Sequence, residues 1–263
     1  MWHPRWLLAE WVTLRFEART CRESTTICTV NTEDAQELLT RYRLTNSVQA
    51  IPVGVEVREF AAREQDPQTK IVAFVGNLYW GANIDAVKYL VREIAPSVAG
   101  AHAEVRFRMI GPVDATLSAK YSTTSVEFTG NVARVADALS DVAVGVVPVF
   151  SGTGMRLKLL ELLSMGIPSV TTSLGAAGLP CVDGQHVLIA DDPKSFVRAI
   201  NALLSDAALR KTLSQEGPKL AKKYSWEGIE DKVRKLVRDT MRTTGDPSGA
   251  ELEASRRGSS TSS

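Results

Sequence analysis

The sequence predicts an α/β fold built on a doubly wound parallel sheet, and three observations carry that prediction. From residue 71 onward, strand-like apolar runs alternate with helical runs. Several strand runs, among them "IVAFVG" and "DVAVGVVPV", are apolar throughout rather than alternating, as strands buried on both faces must be. Glycine closes one strand run after another, at Gly76, Gly111 and Gly130. Alternation of this kind places helices on both sides of a parallel sheet, in a domain of about 170 residues.

The elements follow in order. Residues 1 to 20 read as a helix, with Trp2, Trp6, Leu7, Trp11, Leu14 and Ala18 on roughly one face. That face needs a cover, and the reading adopted is a docking helix of a larger protein. A membrane-surface helix is the alternative, with Arg5 and Arg15 as cationic neighbours. "TTICTV" is a β-branched strand, and "NTEDAQELLTRY" a helix capped by Asn31 or Thr32. "SVQAIPVGVE" is a short strand broken at Pro52 and Gly54. "AAREQDPQTK" reads as a linker, and a domain boundary is expected near residue 52.

"IVAFVG" opens the regular part, followed by a helix from Asn83 to Val98 with Asn83 as cap. "EVRFRMIG", "VEFTG" and "DVAVGVVPV" are strands, separated by the helices "DATLSAKY" and "ARVADALS". Next comes "SGTGMRLKLLELLSMGIPSV", a loop, a helix and the start of a strand. Thr153 is its cap candidate, five leucines supply its apolar positions, Gly166 ends it and Pro168 prevents continuation. "SVTTS" and "HVLIA" are strands. "PKSFVRAINALLS", "AALRKTLSQEGPKLAKKY" and "SWEGIEDKVRKLVRDTMR" are helices. Residues 243–263 are small and polar and are expected to form a disordered tail.

Composition excludes several classes. With 31 basic and 30 acidic residues, no global basic field points to nucleic acid. Cys21, Cys28 and Cys181 are widely spaced, which suits a reducing cytoplasm. His3, His102 and His186 are scattered and HExxH is absent, so no metal site and no cofactor is expected. No apolar run reaches 18 residues, and Glu10 and Arg15 interrupt the N-terminal stretch against a signal peptide. GxGxxG, GxxxxGK[ST] and GxSxG are all missing, which argues against a dehydrogenase, an NTPase and an α/β-hydrolase.

What remains is an anion site. Ligands of doubly wound sheets sit beyond the carboxyl ends of the strands. Gly76, Gly111, Gly130, Gly152 and Gly154 fall on loops at that edge. Singly, each glycine merely ends a strand. Together they favour a nucleotide or phosphate, which backbone N–H groups and helix dipoles receive. Lys158 and Glu161 stand three apart and share a helix face. They form either a surface ion pair or one side of a ligand site. Arg156 and Lys158 reach one ligand only if Arg156 lies in the loop or first turn. Two cations there would suit a diphosphate, and a carboxylate one turn deeper would accept bonds from ribose hydroxyls.

These segments carry a resemblance. "VNTEDAQEL", "IPVGVEVREF", "FVGNLYWGANIDAVKYLVREIAPSV", "RFRMIGP", "VEFTGNVARV", "VGVVPVFSGTGMRLKLLELLSMGIPSVTTSLGAAGL", "GQHVLIADDPKSFVRAI" and "YSWE" occur in that order over residues 25 to 230. In this the chain resembles the retaining, two-domain GT-B glycosyltransferases of the family 4 type. "GTGMRLKLLELLSMGIPSV" is the most specific segment.

The resemblance implies a Rossmann-like GT-B C-terminal domain at 52–224 that binds a nucleotide-diphosphate sugar. It implies a remnant of a second Rossmann-like domain, the acceptor domain, at 1–51. Residues 225–242 would form a helix packing back toward that domain. Glu161 falls where the family holds the ribose. Its partner glutamate, which contacts the sugar, falls on Thr153, a departure shared with a "GxRLKxLE" subgroup.

The family's arginine and lysine after the first strand of the domain fall on Asn77 and Asn83. Phosphate neutralisation would therefore pass to Arg156 and Lys158. Gly152, Gly154, Gly76 and Asn77 would complete the nucleotide-sugar site, with backbone around Gly130 and Val132 at the base. The implied acceptor is a saccharide or lipid-linked, and peripheral association with the inner membrane face is one expectation. With so little chain before residue 52, another chain or upstream sequence would supply the acceptor half. A non-catalytic nucleotide-sugar-binding remnant is the alternative, and a sugar-nucleotide epimerase a third.

Overall fold

A computed structural model describes residues 4–57, 60, 68–152 and 154–244, and side chains from residue 9 to 243 within them. Helix α1 spans Pro4–Glu23, β1 Thr26–Thr29, α2 Thr32–Tyr42 and β2 Ser47–Ala50. Then follow β3 Ile71–Val75, α3 Gly81–Tyr89, a π-helical segment Leu90–Ile94, and α4 Ala95–Ala101. β4 is Arg106–Ile110, α5 Ala115–Tyr121, β5 Val126–Gly130, α6 Val135–Ala138, β6 Val144–Val147 and α7 Leu157–Ser164. β7 is Ser169–Thr171, α8 Ser173–Ala176, β8 Leu188–Ile189, α9 Pro193–Ser205, α10 Ala207–Ala221 and α11 Trp226–Thr244. A 3₁₀ turn at Lys222–Tyr224 follows α10.

The chain divides into two compact units. One holds the residues up to Val53 with those from Glu227 on, the other Gly54–Trp226. In the smaller unit β1 and β2 form a parallel pair, Thr26 facing Ser47 and Thr29 facing Ala50. Asn31 caps α2 by accepting from Asp34 N at 2.6 Å. Asn46 Nδ2 donates to Cys21 O and Ser24 O and so ties the strand-bearing segment to the end of α1. Thr26 and Thr240 hydroxyls meet at 3.0 Å.

The larger unit carries the doubly wound sheet. Its strands lie in the order β5-β4-β3-β6-β7-β8, and every pairing is parallel. The chain builds outward from β3 in one direction, returns, and builds outward from β6 in the other. That is the 3-2-1-4-5-6 order of dinucleotide-binding sheets, with its switch point between the two central strands. Residues alternate between faces along each strand. Phe74, Phe107 and Met109 enter one core with α3, α4 and α9. Ala73, Ile110 and Val147 enter the other, with Leu159, Leu160, Leu162 and Leu163 of α7. At Gly145 an added Cβ would lie 2.7 Å from Leu162 Cδ1, so a bare backbone lets α7 lie on β6.

Several local expectations are corrected. The helix expected from Asn83 starts at Gly81 with Trp80 at its N-cap position, so Asn83 lies in the first turn and is no cap. The helix expected to be capped by Thr153 starts at Leu157, with Arg156 at the N-cap position. Gly166 does follow its end, at φ 67°. Leu157, assigned to the apolar face, is 40% exposed. The single turn α8 has no counterpart in the sequence reading. The tail expected from residue 243 gives up its first two positions to α11, and 245–263 lie outside the described residues. Trp2, Thr153 and most of the expected linker also lie outside them. Trp11 and Leu14 of the apolar α1 face are exposed.

Candidate functional site

The loops leaving β3 and β6 open on either side of the switch point, where such sheets hold their ligands. A pocket of about 290 Å³ lies there. Ala82 and Asn83 of α3 line it, with Pro148, Val149, Phe150 and Ser151 after β6, and Met155, Arg156, Leu157 and Lys158 at the start of α7. Gly152 and Gly154 bend the loop between these last two groups, at φ 98° and 82°, where a side chain would be strained. Arg156 follows in the N-cap position, so it points from the loop rather than from the helix. This is the condition under which it and Lys158 can serve one ligand.

Lys158 is half-buried. Its Nζ donates to Asn83 Oδ1 at 2.8 Å and stands 4.6 Å from the centroid of the Phe74 ring. Burial, helped by the charge of Arg156, pulls its pKa down to about 8, against the opposing pull of Glu161. Arg156 Nη2 donates to Gly152 O at 2.7 Å, and burial lowers its pKa as well. Arg156, at the N-cap position of α7, makes no side-chain cap bond of its own to the helix. Two cations beside a helix N-terminus make a receptor for an anion.

The expected site residues converge unequally. Arg156 and Lys158 line the pocket, and Gly152 is held to Arg156. Gly76 and Asn77 join through Asn83, whose Nδ2 donates to Asn77 O at 2.8 Å. Gly154 belongs to the same loop. Glu161 is half-buried one turn along α7 and acts on the charge of Lys158, but does not line the pocket. Gly130 ends β5 and accepts from Gly111 N at 3.2 Å, two strands from the pocket. Val132 packs against the core on the α7 side of the sheet. Thr153 lies outside the described residues.

Two residues escaped the sequence reading. Phe74 looks like any strand residue, yet its ring lies under the Lys158 ammonium. Phe150 lines the pocket while meeting Tyr89 edge-on at 4.8 Å between centroids. Neither has a local signature, because each matters through a partner distant in sequence. Among the described residues, no group of three His, Cys, Asp or Glu side chains could hold a metal ion. No helix among them is long and apolar enough to cross a membrane.

Comparison with known proteins adds three findings. The family described as "Glycosyl transferases group 1" matches residues 69–206, more than half of the chain. A D-inositol 3-phosphate glycosyltransferase of Rhodococcus opacus is 25% identical over 82% of this chain and 53% of its own. An uncharacterized glycosyltransferase of Methanocaldococcus jannaschii is 31% identical over 33% of this chain and 25% of its own. The chain spans about half or less of the length of the curated relatives it matches.

Among solved structures, sucrose-phosphate synthase from Thermosynechococcus elongatus superposes with TM-score 0.72 at 18% identity, over 88% of this chain and 62% of that one. Anabaena HepE in complex with UDP-glucose gives 0.71 at 11% identity, over 87% and 68%. At such identities the likeness speaks for the fold, a GT-B Rossmann-like sheet.

Proposed function

The chain belongs to the glycosyl transferases group 1 family, and from that premise we propose that its larger unit binds the nucleotide-diphosphate sugar of a retaining, family 4 type glycosyltransferase. The observation that carries this reading is the pair Arg156 and Lys158 at the N-terminus of α7, in a pocket at the switch point. In the proposed reaction the bond between the sugar's anomeric carbon and the diphosphate oxygen breaks through an oxocarbenium-like transition state. The acceptor hydroxyl then bonds to the same face and gives up its proton to the departing diphosphate oxygen. Negative charge grows on the leaving diphosphate, so fixed cations there act where the transition state needs them. Glu161 would take the ribose hydroxyls.

UDP is the first nucleotide to test, because HepE was crystallised with UDP-glucose. A saccharide or lipid-linked acceptor fits relatives named for D-inositol 3-phosphate and phosphatidyl-myo-inositol. The smaller unit is read as a remnant of the acceptor domain, to be completed by further sequence or a partner chain. Its parallel pair supports this, since β2 buries neither face. Work at the cytoplasmic membrane face is part of the same proposal. A non-catalytic nucleotide-sugar-binding remnant is the second reading.

Calorimetry with UDP and GDP tests the site. Lys158→Ala and Glu161→Ala are each expected to weaken binding at least tenfold, about 1.4 kcal/mol. Unchanged affinity in both would remove the assignment. Sugar transfer by this chain alone would exclude the non-catalytic reading, whose expected outcome is binding without turnover.

A further inference from the structure

We propose that Asn83 is the positioning residue of the cation site: its side-chain amide aims the Lys158 ammonium from across the switch point. The proposal rests on the reading of this pocket as a nucleotide-sugar site and goes beyond it. Asn83 and Lys158 stand on different helices, α3 and α7, yet Oδ1 of the one accepts from Nζ of the other at 2.8 Å. The other end of the amide, Nδ2, donates to Asn77 O at 2.8 Å. An ammonium can only donate and a carbonyl can only accept, so these two partners fix which way the amide faces. The Asn77 backbone thus holds the amide, and the amide holds the ammonium.

The neutrality of the amide matters. A carboxylate in this place would hold Lys158 equally well but would cancel the charge that a diphosphate needs. Charged groups that act on Lys158 are Arg156 and Glu161, both from its own loop and helix. Among the described residues, the packed elements β3 and α3 meet the ammonium through the Phe74 ring and the Asn83 amide. One cation is thereby fixed in place without being neutralised. Gly76 keeps the arrangement open. An added Cβ there would lie 2.9 Å from Asn83 Nδ2 and 3.0 Å from Cγ, so a methyl group would push the amide aside.

The experiment is calorimetry on the full chain with UDP, GDP and inorganic pyrophosphate, from about pH 6 to about pH 10, where Lys158 changes charge. Lys158→Ala reports on the pocket itself, and loss of binding there is expected. Asn83→Leu removes both hydrogen bonds at similar size and should weaken binding about fivefold near pH 7. It should also move the alkaline loss of affinity to lower pH, because the lost acceptor favoured the charged amine. Gly76→Ala should act in the same direction. Asn83→Asp, closest in shape, should move that loss to higher pH while weakening binding near pH 7.

A purely structural asparagine would not shift the pH limb in opposite directions for two substitutions. If Lys158→Ala abolishes binding while Asn83→Leu and Asn83→Asp keep the wild-type affinity and pH limb, the positioning role is overturned and the pocket reading survives. Should Asn83→Leu not fold, an unmoved limb in Asn83→Asp overturns it alone. If the wild type binds no probe, or Lys158→Ala binds as well as wild type, the pocket reading falls and the positioning role with it.

Discussion

Two parallel sheets in this chain obey the same pairing rules and end differently buried. In the six-stranded sheet β6 and β7 are buried at every position and β3 at its three central ones. In the two-stranded pair β2 alternates between exposed and half-buried, and β1 buries only Thr29. β-branched residues form strands in both, so side-chain type does not separate them. Width does. Helices crossing over from six strands cover both faces of the central ones. Two strands are edges on both sides and bury little of themselves. The larger unit is therefore a platform rigid enough to hold loops, and it carries the pocket between α3 and the start of α7.

The largest expected effect tests that contrast directly. Phe107→Ala, at the centre of the wide sheet, should cost about 3–5 kcal/mol in denaturant unfolding, while Val48→Ala in β2 should cost less than about 1 kcal/mol. Equal losses would break the comparison. Next come the glycines of the larger unit. Gly111 has φ 132°, and an added Cβ would stand 2.1 Å from Gly76 O, so Gly111→Ala should cost about 2–3 kcal/mol. Gly100 in α4 faces open space, and Gly100→Ala should stabilise by about 0.5–1 kcal/mol. A loss there as large as at Gly111 would refute the packing argument.

A smaller effect sharpens the picture from the other side. Asn31→Ala removes the cap of α2 and should cost about 1 kcal/mol. Hydrogen exchange should show that loss in β1, β2 and α2 and leave β3 to β7 unchanged. Faster exchange in β3 would mean the two sheets do not open independently. A last test concerns Lys158 without ligand. Its folded pKa of about 8 lies below the ordinary 10.5. Between those values the unfolded chain holds a proton that the folded chain has lost, so stability from this group rises with pH across that window. Thermal unfolding of wild type against Lys158→Met should show that rise only in wild type. With ligand the sign reverses, because binding needs the charged amine and weakens as pH rises past its pKa.

The fold was legible because its signals are local and repeated. "IVAFVG" and "DVAVGVVPV" are apolar on both faces, and that requires cover on both sides wherever they sit. Asn31 capped its helix as its type and the acidic turn after it predict, and Gly166 ended α7 for the same kind of reason. The site was legible in part. Arg156 and Lys158 stood out because cations at the head of a leucine-rich helix have no packing role.

What eluded the sequence has one physical cause. Strand order is set by crossovers, which place β3 beside β6 although 68 residues separate the end of one from the start of the other. That adjacency alone brings Asn83 to Lys158 and Phe74 beneath it. α7 starts at Leu157 rather than in the glycine loop, and Leu162 packs against β6 at Gly145, a contact between residues distant in sequence. By itself the sequence determined the alternation of strands and helices, the glycine edge and the charged head of α7. The tertiary structure alone decided that α3 and α7 flank one pocket, because only sheet topology brings loops so distant in sequence to the same switch point.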